Sequence, residues 1–181
     1  NQVKELNASD LIAMGALSNT IRKMDLCLDS VASEFTELFD SPSLGIPTQT
    51  QERLQDLIKY EQYHMTKAPL LHGGDGQWGW SDIRICFSYS AEETKIMVWY
   101  WCGKTHSQYE SFKRLFHKYQ SMFISEPDFV VQDEANWFVI AFKKPLAEFD
   151  KEAKPLQAIH NWIVEHMRLL KQFSEKTPEL A

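Results

Sequence analysis

The chain has 181 residues, 44% of them hydrophobic and 24% charged, with a formal net charge of −6. A chain of this length buries about two-thirds of its unfolded surface, so no disulfide or metal staple is required for folding. The acidic balance argues against a dedicated nucleic-acid binder, which needs clustered Lys and Arg, and no apolar run nears the ~20 residues of a membrane-spanning helix.

The stretch 7–40 organises the chain. Apolar residues fall at Met14, Leu17, Ile21, Met24, Leu28, Val31, Phe35 and Leu38. The steps alternate three and four, a heptad seam that keeps one stripe of a helix facing a partner. Asn7, Ser9 and Asp10 carry side-chain oxygens that can cap its start, and Pro42 and Gly45 stop it. A short linker, 41–47, leads to a second helix capped by Thr48 or Thr50 and predicted to run to about Met65. Leu54, Leu57 and Ile58 mark its apolar side. Two consecutive helices so linked suggest an αα-hairpin.

Residues 70–81 hold four glycines, with Trp78 and Trp80 among them. Such a loop is a long turn pinned by aromatic packing or a recognition loop. Two predicted strands follow. Over 82–90, Ile83, Ile85, Phe87 and Tyr89 alternate with Arg84, Cys86 and Ser88. Over 94–102, Ile96, Val98 and Tyr100 alternate with Lys95, Met97, Trp99 and Trp101. Period-two alternation of β-branched and aromatic residues about a short polar turn is a hairpin signal. Residues 105–123 repeat at helical spacing. Strands are predicted near 129–132 and 137–143, the latter apolar on both faces and so covered from both sides. The last helix starts near Leu146 or Pro155, proline fitting a first turn, and ends near Ser174.

These elements predict an α+β fold: a four-stranded, mainly antiparallel sheet in the order ββα-ββα, with long helices. The expected division is an N-terminal helical pair, 1–66, and an α+β body, 67–181, forming one continuous domain. Met97, Trp99 and Trp101 make the second sheet face apolar, and the helical pair is the available cover. Alternatively, the heptad helix pairs with a copy of itself.

Candidate sites divide by chemistry. Asp82, followed by Glu93-Thr94-Lys95 on the next strand, resembles the core of the PD-(D/E)XK nuclease superfamily. That resemblance implies carboxylates holding Mg²⁺ and a lysine that positions water. It covers residues 82–95, and Ser81 stands where the motif has Pro. A tight hairpin sets Asp82 and Glu93 far apart, so charged residues flanking a turn are the plainer reading. His72 and Asp75 in the glycine-rich loop could pair for proton transfer, but the glycine spacing fits no phosphate-binding loop. His160 and His166 lie six apart, unsuited to one metal on a helix face.

Trp99 and Trp101, with Lys113, Arg114, Lys118, His117, Lys104, Lys143 and Lys144, could bind a single strand by stacking and phosphate contacts. The competing reading is a solvated helix face over an aromatic core. Trp78 and Trp80 could close a small-molecule sensor pocket. No cofactor or metal set is expected. Cys27, Cys86 and Cys102, odd in number and without CxxC spacing, read as free thiols. With no visible signal peptide, they point to a cytoplasmic protein. The reading favoured is a non-catalytic interaction or regulatory module. It would assemble with a protein partner or a second copy through Leu17, Ile21, Met24, Leu28, Val31, Phe35 and Leu38.

Overall fold

A computed structural model of the chain describes residues 7–39, 50–67, 81–89 and 93–180. The glycine-rich loop, with His72, Asp75, Trp78 and Trp80, lies outside the described residues, as does the linker 41–47.

Helix α1, Ala8–Leu38, opens on a capping box: Asn7 Oδ1 accepts from the Ser9 and Asp10 amides, and Asp10 accepts from the Asn7 amide. At 31 residues it is roughly 47 Å long. Helix α2 is Thr50–Tyr60. The second helix predicted to reach Met65 ends here instead, because Glu61 takes a left-handed φ of 56° while its amide bonds the Leu57 carbonyl. That conformation closes a helix and redirects the chain. The next six residues form strand β1, Gln62–Lys67. Tyr63 and Met65, two apart, follow a strand's alternation, but the run is so short that a helical pattern carried on from Leu54, Leu57 and Ile58 overrides it.

Strands β2, Ser81–Tyr89, and β3, Thr94–Gly103, form the predicted hairpin. Helix α3, Tyr109–Tyr119, then crosses to β4, Phe129–Asp133, and β5, Trp137–Pro145. Helix α4, Pro155–Lys176, begins on its proline. The sheet is antiparallel and has five strands rather than four, in the order β1-β2-β3-β5-β4.

One sheet face carries the core. Registers bring Tyr63, Met65, Ile83, Ile85, Phe87, Ile96, Val98, Tyr100, Phe138, Ile140 and Phe142 to it, all buried. Phe112 of α3 meets Tyr100, with ring centroids 4.7 Å apart, and also Phe138 and Phe173 of α4. The opening helix joins this same layer. Its buried Met24, Cys27, Leu28, Val31 and Phe35 belong to the apolar cluster that α3 and α4 share with the sheet. Its Asp25 accepts from the Tyr63 hydroxyl of β1, and Glu34 lies 3.6 Å from His160 of α4. The expected cover of the Trp99 and Trp101 face by the N-terminal pair is therefore not what α1's buried stripe provides. The opposite face is mixed: it carries His64, Asp82 and Arg84 and also buries Cys86, Met97, Val139 and Ala141.

Candidate functional site

Two features stand apart from this core. The first is the amino-terminal half of α1. The heptad stripe splits into two regimes: Met24, Leu28, Val31 and Phe35 are buried, and Ile21 and Leu38 are half-buried. Every residue from 8 to 20 is exposed. Leu11, Ile12, Met14 and Leu17 stand 56%, 74%, 61% and 53% exposed, large values for such side chains in sequence neighbours. The projecting part is roughly 20 Å of helix. Asp10 is the one charged residue between 8 and 21, so this stretch lacks the charges of an ordinary solvated helix face.

The second feature is the sheet face opposite the core. The β2–β3 register sets Asp82 beside Trp101 and Arg84 beside Trp99, while His64 pairs with Cys86 and Met97 with Lys143. Arg84 donates to Gln62 Oε1 and Asp82 Oδ2, each at 3.0 Å, and its guanidinium lies 5.5 Å from the Trp99 ring centroid. His64 is buried and lies 3.4 Å from Asp56 of α2. Burial, reinforced by Arg84, pushes its imidazole pKa down to about 3, so it is neutral at pH 7. Burial likewise lowers the Lys143 ammonium pKa, with Lys95 adding like-charge repulsion. Burial raises the Cys86 thiol pKa to about 12.

The structure separates groups that the sequence places close together. Asp82 pairs with Trp101, whereas Lys95 pairs with Ser88, six residues along β2 and so roughly 20 Å away. Glu93, bonded to Lys95 at 3.1 Å, lies at that far end too. Asp82, Glu93 and Lys95 do not meet around one ion. Among the described residues no group of three or more His, Cys, Asp or Glu side chains could hold a metal.

Lys113, Arg114 and Lys118 ride on α3, which packs on the core face, so the sheet lies between them and Trp99 and Trp101. Lys113 is held by Asp133 at 2.7 Å. The basic helix and the two tryptophans thus form no common strand-binding surface. His166 bonds the Trp162 carbonyl at 2.7 Å, a core contact. His64 and Arg84 were not singled out by sequence reasoning. The alternation of Asp82, Arg84 and Cys86 against Ile83, Ile85 and Phe87 is the signal that could have found Arg84.

A third arrangement is structural. Arg53 of α2, almost fully buried, reaches Asp25 at 2.6 Å and Asp29 at 2.9 Å on α1. Burial opposes ionisation of Asp25, but hydrogen bonds from Tyr63, Arg53 and Thr50 outweigh it and hold its carboxyl below the ordinary range. The cluster fixes α2 to α1 at the edge of the sheet.

Among the described residues no helix is long and apolar enough to cross a membrane. Compared with known protein families, curated proteins and solved structures, the chain matches none of them.

Proposed function

We propose that the chain is a protein-interaction module that assembles through the amino-terminal half of α1. The observation that carries this reading is the split stripe: one heptad seam is buried against the body at Met24–Phe35 positions and bare at Met14 and Leu17. Burying such side chains contributes ~1.5–3 kcal/mol each, so a partner that continues the seam gains substantially. The anchored half of α1 also supplies a helical nucleus, which lowers the ordering cost of the projecting turns.

The partner favoured is a second copy of the chain. The positions flanking the bare seam include Ala13, Ser18 and Thr20, which are small or uncharged. Two identical arms therefore meet without the like-charge repulsion that usually edges against self-pairing. A seam of about two heptads is short, so a dimer in concentration-dependent exchange is expected.

Light scattering coupled to size-exclusion chromatography tests this over a dilution series. The wild type should shift from dimer to monomer on dilution. Leu17→Glu and Met14→Glu should be monomeric throughout, with unchanged circular dichroism. A monomer at every concentration, or a dimer indifferent to both substitutions, would defeat the reading.

A further inference from the structure

An open sheet ends in two edge strands, each with backbone N–H and C=O groups that no neighbouring strand takes. Here the edges are β1 and β4. Helix α2 lies beside β1: its Asp56 is 3.4 Å from His64, and its Arg53 joins the Asp25 cluster that accepts from Tyr63. Among the described residues β4 pairs with β5 alone. Val130 and Val131, at its middle, are 37% and 38% exposed.

The register fixes which groups face outward. The Lys143 amide bonds the Asp128 carbonyl at 2.8 Å, and the Glu134 amide bonds the Trp137 carbonyl at 2.9 Å. In an antiparallel ladder such bonded pairs alternate with pairs that exchange no bond. The register runs unbroken between these two bonds. Val130 and Gln132 therefore bond β5, while the backbone groups of Phe129, Val131 and Asp133 aim away from it. The Phe129 amide is taken by the Glu126 carbonyl. The outer edge thus offers the N–H groups of Val131 and Asp133 and the carbonyls of Phe129, Val131 and Asp133. A bulge, a proline or a lysine commonly blunts such an edge, and this strand, Phe-Val-Val-Gln-Asp, has none of them.

Charge selects the occupant. Glu126 and Asp128 precede the strand, and Asp133 and Glu134 close it. Lys144 lies 3.4 Å from Asp128 and Lys113 lies 2.7 Å from Asp133, whereas Glu126 and Glu134 form no ion pair among the described residues. A second copy fits poorly here. Antiparallel pairing of two β4 strands about Val131 sets Glu134 of each opposite Asp128 of the other, and like charges so placed are destabilising. Parallel pairing in register sets Asp133 on Asp133.

We propose that the β4 edge binds an extended segment of another protein as a sixth, antiparallel strand. The segment is apolar at the two residues facing Val130 and Val131 and basic at both ends. The outward backbone groups of β4 hold it, the valines extend each sheet face by one side chain, and the end carboxylates set its register. From the residue facing Asp128 to the one facing Glu134 it spans roughly 20 Å. This surface is separate from the α1 arm.

Fluorescence polarisation on the full chain tests this with the labelled, end-capped peptide Lys-Thr-Thr-Val-Val-Thr-Lys. Saturable binding is expected, and exchanging both lysines for glutamate should weaken it about tenfold or more. N-methylation of the fourth residue, whose N–H meets the Val131 carbonyl, should abolish binding. N-methylation of the third, whose N–H points away, should leave it intact. Added peptide should slow amide hydrogen exchange at Val131 and Asp133.

In the protein, Val131→Pro removes an outward N–H and no bond to β5, and should weaken binding about tenfold. If thermal melts show that this variant does not fold, Glu126→Lys combined with Glu134→Lys takes its place, with the same loss expected. Four results would overturn the proposal. They are no saturable binding up to millimolar peptide, equal affinity for the two N-methylated peptides, indifference to the charge exchange, or protection of the Val131 amide that rises with protein concentration before peptide is added. The last would mean that two copies pair through this edge.

Discussion

His64 is neutral because burial strips water from a cation and Arg84 repels one, which brings its pKa to about 3 from an ordinary 6.5. In the unfolded chain the same histidine takes up a proton as the pH falls through 6.5. Between those values the unfolded state binds more protons than the native one, so stability falls on acidification, by up to ~1.4 kcal/mol per pH unit for this group. His106 and His166 are lowered too, first by burial, and act with the same sign. Urea unfolding across this window should show stability declining toward acid, and His64→Gln should flatten the decline. An identical slope in the variant would place the proton uptake elsewhere. Asp25 gives a second prediction. Its removal in Asp25→Ala takes the shorter of two ion pairs from the buried Arg53 and strips acceptors from Tyr63 and Thr50. A loss of about 3 kcal/mol is expected in chemical denaturation. A loss under ~1 kcal/mol would mean that solvent replaces the lost carboxylate.

At the scale of elements, α1 behaves as two helices in one. Leu28 is fully buried and Leu17 is 53% exposed, though both lie on the same seam. Leu28→Glu places an unpaired charge in the core and should cost more than ~4 kcal/mol, enough to unfold many domains. Leu17→Glu should change stability at high dilution by no more than ~0.5 kcal/mol. Equal losses in the two variants, measured by thermal melts at the same concentration, would show that the arm is packed on the body in solution. The seam itself is legible in the sequence, because three-four spacing is a direct consequence of helical pitch. Where burial stops is not, since Met14 and Leu17 are as apolar as Met24 and Leu28. Strand β1 was illegible for a related reason. Glu61 carries no mark of a left-handed turn, and the alternation of Tyr63 and Met65 is too short to stand out from the helix before it.

For the whole molecule, the α+β character follows from clean alternation over β2 and β3 and from the broad stripes of α3 and α4. The hairpin register could be anticipated, and with it the grouping of Trp99 with Trp101. The side on which each helix lands could not. Lys113, Arg114 and Lys118 follow the tryptophans closely in sequence, yet α3 crosses to the other face before reaching β4. The helical pair was expected opposite α3 and α4 because both sheet faces carry large aromatics. The opposite face sets Arg84, Asp82 and His64 beside buried Met97, Val139 and Ala141, and local composition does not reveal which face a helix will take.

Cys27, Cys86 and Cys102 are all buried and free of disulfides, and burial is the main cause that raises each thiol to about 12. Their thiolates, the reactive forms, are therefore scarce while the chain is closed. Each one sits in a different neighbourhood: Cys27 in the crevice between α1 and the Leu156 and His160 side of α4, Cys86 paired with His64 across β1 and β2, and Cys102 paired with Phe138 across β3 and β5. A thiol-specific reagent followed by mass spectrometry should thus read out local opening as a clock with three hands. Cys27 is expected to label first, because its crevice opens to solvent, and Cys102 only with global unfolding. Simultaneous labelling of all three would instead describe a molecule that opens as one unit.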